Sequence, residues 1–344
     1  MVPSRAEGRV TDTAPLAVRE GPMSVEAMAA ELAAHPSIRS KLAIARSTAA
    51  LGLGAASAGR PGDDAAVLPR DGGYDLFAGE GFIPAFVNAS PWFAGWCAVM
   101  VNVSDIAAMG GRAVAVVDQI WAPDAEAARP VMDGMKAAAA AYGVPLVGGH
   151  TNFAAPELSL AASIFGRATA LITSFDAAPG DLLVAAIDTR GAYAGFDNFG
   201  AFLDAPVDRL RGDLEVLPEL AEADLVKAGK DISQGGIIGT ALMLAECSGV
   251  AITIDVDALA PPEGVAPVRW LRTFPSFGFL LAVAPAHAET VLDRFSVRGI
   301  GARVIGDVTE GSTVTLTGGG RTALFWDHAA DPYLGFARME DMDA

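Results

Sequence analysis

The segment 90–111 constrains the fold most strongly because it has a defined start, an apolar stripe and a defined end. Ser90 is a favourable N-cap, Pro91 suits the first helical position, and the Gly110-Gly111 pair is typical of a helix end. Apolar side chains recur between them with the spacing of one helical face: Phe93, Trp96, Cys97, Met100 and Val101. We therefore predict a helix over Pro91–Met109 that is buried along this stripe.

Helices and strands are expected on both sides of this segment. Ser24–Leu51 has a helical pattern that Pro36 divides into two shorter helices, with Ser24 as the cap of the first. Asp124–Tyr142 is alanine-rich and predicts another helix. Short apolar runs bounded by turn residues predict strands at Ala65–Leu68, Asp75–Ala78, Ile83–Val87, Val114–Trp121, Pro145–Val147 and Leu158–Phe165.

A turn at Pro179-Gly180-Asp181 is followed by a new apolar run that predicts a strand. We therefore place a domain boundary within 168–178. Beyond it we expect helices at about 216–228 and 234–247 and further short strands. Mixed strands and helices without a repeat predict an α/β and α+β protein of two domains. The predicted organisation is a flexible extension over 1–23, an N-terminal domain over 24–170 and a C-terminal domain over 175–330.

The charge balance narrows the classes of partner. The chain carries 41 Asp and Glu against 24 Lys and Arg, a formal net charge of −17. An acidic chain is a poor ligand for nucleic acid or an anionic membrane, because phosphate groups attract basic surfaces. Two isolated cysteines, the absence of an apolar signal-peptide core and the absence of a long apolar run indicate a cytoplasmic protein.

Two acidic pairs fall at the ends of predicted elements. Asp63-Asp64 lies in a glycine turn before a strand, where adjacent carboxylates repel each other unless a cation or hydrogen-bond donors intervene. A solvated turn is the alternative. Asn102 and Asp105 share a helix face off the apolar stripe, and an acidic group late in a helix opposes the helix dipole. Either a compensating contact or simple exposure explains Asp105.

Two further clusters combine glycine with polar residues. Gly148-Gly149-His150-Thr151 follows a predicted strand, and glycines let backbone N–H groups approach a phosphate closely. An ordinary turn is the alternative. The segment 231–236 (Asp-Ile-Ser-Gln-Gly-Gly) opens a predicted helix, where Asp231 or Ser233 also qualifies as a plain N-cap. The P-loop and dinucleotide fingerprints and the G-x-S-x-G motif are absent from the sequence.

The order and spacing of the four clusters resemble the ATP-binding superfamily of aminoimidazole ribonucleotide (AIR) synthase. The motifs that carry the resemblance are Gly62–Val67, Val101–Gly110, Gly148–Thr151, Asp231–Gly236, Pro179-Gly180-Asp181, Ser276-Phe277-Gly278 and Ile305–Val308. The superfamily includes thiamine-monophosphate kinase, selenophosphate synthetase and formylglycinamidine synthase. The long Val101–Gly110 motif is most similar to thiamine-monophosphate kinase.

The resemblance implies two AIR-synthase-like domains, a homodimer with a barrel-forming sheet, and Mg-ATP in a cleft between the domains. It implies metal ligation by Asp63, Asp64, Glu80, Asp105 and Asp231. Among these five residues, the resemblance implies catalytic roles for Asp105 and Asp231. Asn102, Gly148, Gly149, His150 and Thr151 are the implied nucleotide-binding residues. An acidic chain holds a triphosphate more readily when divalent cations with oxygen ligands lie between the like charges.

The sequence departs from the family at two of these positions. Glu80 stands where these families usually carry Asp, so this ligand is either replaced by a longer carboxylate or lost. His150 stands where thiamine-monophosphate kinase has Asp. The resemblance thus implies Mg-ATP-dependent phosphoryl transfer to an oxygen of a small molecule, as in thiamine-monophosphate kinase. The alternatives are an ATP-dependent ligase or cyclase and a nucleotide-binding protein without turnover.

Overall fold

The structure is a computed structural model that describes residues 23–336 except for 55, 56, 58, 196 and 203. The predicted flexible extension over 1–23 therefore lies outside the described residues, apart from Met23. Helices and strands are mixed along the chain, as the sequence predicts. Across the described ranges, none of the helices combines the length and apolar character that a membrane crossing needs.

The helices have the following bounds. In chain order they are α1 Val25–Ala34, α2 Pro36–Arg39, α3 Ile44–Ala50, α4 Pro84–Ala89, α5 Pro91–Ala108, α6 Ala125–Tyr142, α7 Val207–Leu214, α8 Val216–Glu222, α9 Gly236–Ser248, α10 Pro267–Leu271 and α11 Ala288–Val297. Short 3₁₀ helices cover Ser40–Ala43 and Pro285–His287.

The strands have the following bounds. In chain order they are β1 Ala66–Arg70, β2 Gly73–Gly81, β3 Arg112–Trp121, β4 Leu146–Asn152, β5 Ser159–Ala168, β6 Leu182–Ile187, β7 Ala192–Gly195, β8 Asn198–Gly200, β9 Ala228–Asp231, β10 Ala251–Asp255, β11 Phe274–Pro275, β12 Gly278–Val283, β13 Gly301–Thr309, β14 Thr313–Gly318 and β15 Arg321–Asp327.

The first sheet has the strand order β1-β2-β5-β3-β4 among the described residues. Its pairs are antiparallel except β3 and β4, which run parallel because α6 forms the crossover between them. α5 and α6 pack on one face of this sheet with their backbones in close approach. A Cβ atom on Gly95 would lie 2.0 Å from the Val131 carbonyl oxygen, and one on Gly134 would lie 1.9 Å from that of Trp92. Any side chain at either glycine would push the two helices apart.

The second sheet has the order β15-β14-β10-β13-β6-β12-β9, and a small third sheet has the order β11-β8-β7. Side chains alternate along β6, so Leu183 and Ala185 face α9 while Val184 and Ala186 face α8 and α11. Every residue of α9 is buried. This apolar helix therefore forms the core of the second half of the chain, and it begins directly after the Asp231–Gly235 loop.

Several elements agree with the sequence-based predictions. The helix predicted over Pro91–Met109 is α5, and it begins at Pro91. Ser24 caps α1 by accepting a hydrogen bond from the Ala27 backbone N–H, and Pro36 begins the next helix. These signals are local side-chain and φ-angle effects, which the sequence carries directly.

Two predicted elements are wrong. The strand predicted over Ile83–Val87 lies largely within helix α4, which Pro84 begins as its first residue. The helix predicted over 216–228 ends at Glu222, and Ala228 already belongs to strand β9. Short apolar runs do not distinguish strand from helix by periodicity, so packing decides their conformation.

A buried carboxylate joins the two ends of the described chain to α9. Glu246, in α9, is fully buried and accepts hydrogen bonds from four successive backbone N–H groups: Tyr333 at 2.7 Å, Leu334 at 2.9 Å, Gly335 at 2.5 Å and Phe336 at 3.2 Å. The Tyr333 hydroxyl in turn donates to the Ile38 carbonyl oxygen at 2.9 Å. The segments 25–50 and 333–336 are thereby held against the second sheet.

Replacing Glu246 with Ala should lower the free energy of unfolding by about 3–5 kcal/mol, because the buried N–H groups of Tyr333 and Leu334 and the partly buried ones of Gly335 and Phe336 lose their acceptor. Chemical denaturation of both proteins measures the difference. Glu263→Ala is the matched control, since Glu263 is exposed in a turn and should change stability by about 0.5 kcal/mol or less. A loss below about 1 kcal/mol for Glu246→Ala would show that the segment 333–336 contributes little to the fold.

Candidate active site

A cavity of about 430 Å³ opens where the first and second halves of the chain meet. One part of its wall is polar and acidic: Lys41, Glu80, Asp105, Asn198, Asp231, Ser233, Gln234 and Ser276. Most of the remaining lining residues are apolar, among them Phe82, Ile83, Ala85, Phe86, Phe93, Cys97, Met100 and Val101. A cavity of this size with a few converging polar groups is typical of a small-molecule site.

Asp105 lies in the last turn of α5 and reaches the cavity from the first half of the chain. It is buried, with 7% of its surface exposed, so simple exposure does not explain an acidic residue at this position. Burial raises the pKa of Asp105 well above its usual range, and the charges of Asp231 and Glu80 raise it further. Asp105 in this position therefore either holds a proton or lies next to a cation that offsets its charge.

Asp231 reaches the same cavity from the second half of the chain, at the end of β9. It is as buried as Asp105. Burial raises the pKa of Asp231 well above its usual range, followed by the charge of Asp64. The loop after it turns sharply into α9 at Gly236, where φ is +66° and a Cβ atom would lie 2.2 Å from the Arg272 backbone.

Asp64 lies beside Asp231 but is already neutralised. Its carboxylate forms a buried ion pair with Lys230 and accepts a hydrogen bond from the Asp231 backbone N–H at 3.0 Å. Burial opposes the charge on Lys230, but the Asp64 and Asp63 carboxylates outweigh it and raise the pKa of Lys230 above its usual value. This pair connects the segment before β1 to strand β9, and so fixes the two halves of the chain relative to each other.

Asp63 points to a different neighbour. Its Oδ1 atom accepts hydrogen bonds from the Ser174 backbone N–H at 2.9 Å and from the Ser174 hydroxyl at 2.7 Å. Burial raises the pKa of Asp63 to about 6, and the charge of Asp64 also raises it. Asp63 and Asp64 are not among the cavity-lining residues, whereas Glu80, Asp105 and Asp231 are.

Glu80 is near the end of β2, and its side chain opens into the cavity. Asn102 is fully buried one turn before Asp105; its amide donates to the Ala98 carbonyl oxygen at 2.8 Å, and its Oδ1 atom lacks a hydrogen-bond partner among the described residues. Asn102 is not among the cavity-lining residues. Glu80 thus lines the same cavity as Asp105 and Asp231, whereas Asn102 is buried outside the cavity lining.

Gly148–Thr151 does not reach the cavity of its own chain. The residues lie within edge strand β4 and not in a loop after a strand, and His150 is exposed. The register aligns Gly149 with Asp118, Asp118 with Ala162, and Ala162 with Glu80. Three strand spacings, about 14 Å, therefore separate this cluster from Glu80.

The polar groups around the cavity suit a hard metal ion better than a soft one. Glu80, Asp105 and Asp231 supply only oxygen ligands and repel one another, which favours a hard divalent cation. In the described part of the chain, no group of three or more His, Cys, Asp or Glu side chains is placed closely enough to hold a metal ion by itself. Mg²⁺ commonly binds through one or two carboxylates together with substrate phosphates, so these donors fit Mg²⁺ that arrives with a phosphate ligand.

The two thiols do not suit catalysis. Cys97 lines the apolar wall, and burial raises the pKa of its thiol to about 12. Burial raises the pKa of the Cys247 thiol to about 12 as well, and its Sγ atom lies 3.6 Å from the Gly62 carbonyl oxygen. Neither thiol provides an appreciable amount of thiolate, the nucleophilic form, at neutral pH.

Sequence reasoning missed three polar residues of this region: Lys41, Asn198 and Lys230. Lys230 had a usable signal, because it is a lysine next to an acidic residue in an otherwise apolar stretch. Asn198 and Lys41 had none, since each enters the site through packing of distant segments.

Comparisons with known proteins match both halves of the chain. Residues 62–168 match the family model described as AIR synthase related protein, N-terminal domain, and residues 200–319 match its C-terminal domain. The sequence is 45% identical to the protein named sll0787 of Synechocystis sp., over 83% of this chain and 89% of that protein. It is 29% identical to thiamine-monophosphate kinase of Pyrococcus horikoshii, over 56% of this chain and 64% of the kinase.

Among solved structures, Thermotoga maritima PurL complexed with AMPPCP superposes with a TM-score of 0.69 at 18% identity, covering 86% of this chain. The chain spans about half the length of that PurL chain. These matches confirm the predicted fold class of two consecutive AIR-synthase-like domains. The chain belongs to the family of AIR synthase related proteins.

Proposed function

We propose that this protein is a Mg-ATP-dependent enzyme that transfers a phosphoryl group to an oxygen of a small-molecule acceptor. The observation that carries the proposal is the convergence of Glu80, Asp105 and Asp231 on one cavity, from both halves of the chain. Two of these carboxylates are buried without a neutralising ion pair among the described residues. The thiamine-monophosphate kinase relative and the AMPPCP complex of PurL support a nucleoside triphosphate as the ligand.

The proposed role of each residue follows from its position in the cavity. Glu80, Asp105 and Asp231 would hold the magnesium ions, with Asp64 as a support beneath Asp231. Bound Mg²⁺ would neutralise charge on the phosphates during transfer. Ser233 and Gln234 line the cavity beside Asp231 and can donate or accept hydrogen bonds. The apolar wall formed by Phe82, Ile83 and the residues around them would exclude water and hold an apolar part of a ligand.

Two rival activities share the same site. An AIR-synthase-type cyclase or ligase would also use ATP, and a nucleotide-binding protein would bind ATP without turnover. Titration calorimetry with Mg²⁺ and AMPPCP tests binding, and an ADP-release assay over alcohols and phosphate monoesters, including thiamine monophosphate, tests transfer. Binding without release favours the non-enzymatic rival, and release that needs a formamidine ribonucleotide favours the cyclase.

We also propose a homodimer formed through the face of the first sheet that is opposite α5 and α6. This face carries exposed apolar side chains, including Leu68, Phe77 and Trp121, and the Phe77 ring lies 5.0 Å from that of Phe165. His150 lies on the same face by its register with Gln119. An exposed apolar patch such as the one around Phe77 and Phe165 is a typical protein–protein contact.

Replacing Asp105 with Asn should abolish Mg²⁺-dependent binding of AMPPCP while leaving the melting temperature equal or higher in metal-free buffer. Asn keeps the shape and removes a buried charge that Asp231 and Glu80 repel. Titration calorimetry and thermal denaturation measure the two effects. Asp293→Asn, at an exposed position in α11, is the control. Undiminished binding by Asp105→Asn would remove Asp105 from the site.

The stability of the Asp105→Asn variant relative to the unmutated protein should increase with pH in metal-free buffer. A carboxyl with a raised pKa binds its proton more tightly in the folded state, so its contribution to stability decreases as pH rises above the unfolded value. The advantage of the variant should grow between pH 5 and pH 8 by at most about 1.4 kcal/mol per pH unit. Denaturant titration at several pH values measures it, and a pH-independent difference would contradict the raised pKa.

Replacing Phe77 with Glu should convert the proposed dimer into a monomer without unfolding it, because Phe77 is 48% exposed in the single chain. Light scattering coupled to size exclusion should give twice 35.2 kDa for the unmutated protein and 35.2 kDa for the variant. Leu324→Glu, on the exposed side of β15, is the matched control and should stay dimeric. A monomeric unmutated protein would refute the dimer.

A further inference from the structure

Lys41 reaches the cavity from a part of the chain outside both matched domains. It belongs to the 3₁₀ helix Ser40–Ala43, whereas the family models match 62–168 and 200–319. Among the described residues that line the cavity, it is the basic one, and it shares the wall with Glu80 and Asp231. The segment before the first matched domain therefore supplies a charge to the proposed site.

The position of Lys41 is built into the core. Ile38, three residues earlier, is fully buried, and its Cδ1 atom lies 3.0 Å from where a Cβ atom on Gly239 would be. Tyr333 donates its hydroxyl hydrogen bond to the Ile38 carbonyl oxygen and is itself held by Glu246. Lys41 is therefore fixed relative to α9 by packing and by hydrogen bonds, rather than resting on the surface.

The side chain of Lys41 runs along the loop that follows Asp231. Its Cε atom lies 3.6 Å from where a Cβ atom on Gly235 would be. Burial lowers the pKa of Lys41, and so does the charge of Lys230, while Asp231, Glu80 and Asp64 act in the opposite direction. Lys230 is ion-paired with Asp64, but Lys41 has neither an ion pair nor a hydrogen bond within the described part of the chain.

We propose that Lys41 binds the terminal phosphate of the nucleotide at the acidic end of the cavity, an inference that rests on the proposed function. Carboxylates repel phosphate oxygens, so a phosphate in this cavity needs cations. A lysine ammonium is a compact charge with three donors and contacts phosphate directly. Lys41 thus complements the metal ions that the carboxylates would hold.

The test compares two nucleotides that differ in the terminal phosphate. Titration calorimetry with Mg²⁺ measures binding of AMPPCP and of ADP to the unmutated protein, Lys41→Met, Lys41→Arg and the control Lys227→Met. Lys227 is an exposed lysine next to β9. Lys41→Met should weaken AMPPCP binding about tenfold or more and change ADP binding less than about twofold, because a charge-assisted hydrogen bond is lost at one phosphate. Lys41→Arg should recover most of the AMPPCP affinity, and Lys227→Met should bind both nucleotides normally.

The outcomes separate this inference from the proposed function. Equal weakening of AMPPCP and ADP by Lys41→Met, or weakening of neither, overturns the role of Lys41 and leaves the proposed function intact. Failure of the unmutated protein to bind either nucleotide overturns the proposed function and, with it, this inference. Thermal denaturation of each variant identifies unfolding, and the Lys41→Arg result decides the role should Lys41→Met be unstable.

Discussion

Repulsion between carboxylates that share a buried cavity is the constraint on which the arrangement of this protein depends. Asp105 and Asp231 come from different halves of the chain, and each lies where burial disfavours its charge. The ion pair of Asp64 with Lys230 neutralises a third carboxylate and at the same time connects the two halves. Packing of the two halves therefore brings like charges together, and bound cations or protons are needed to relieve the repulsion.

Much of the local structure follows from the sequence, and the remainder depends on packing. Pro91 marks the start of α5 without reference to any other element, whereas the predicted cap Ser90 makes no side-chain capping hydrogen bond among the described residues. Ile83–Val87 carries one such signal in Pro84, the first residue of α4, but its apolar residues fit a strand equally well. A short apolar run has one pattern and two possible structures, so the sequence alone does not choose between them.

The candidate site also follows from the sequence in part and depends on packing for the rest. The resemblance pointed to Asp105 and Asp231, and both line one cavity. It also pointed to Gly148–Thr151, which strand register places on the far edge of the sheet from Glu80. Register is a property of strand pairing over long sequence distances, which a motif does not contain. Lys41 was missed for a similar reason, since it joins the cavity through the Tyr333 and Glu246 contacts.

The close contact of α5 and α6 at Gly95 and Gly134 restricts how the shape of the cavity can change between related proteins. Cys97, Met100 and Asp105 are carried on a helix whose backbone lies directly against that of α6 at these two glycines, where a side chain would clash. The residues 82–86 belong to the short helix α4 and its preceding turn, and Phe86 packs on Phe93 of α5 through its side chain, with the ring centres 5.7 Å apart. In the proposed enzyme, a change of acceptor would therefore be easier to accommodate through the side chains of 82–86 than on α5, which carries Asp105.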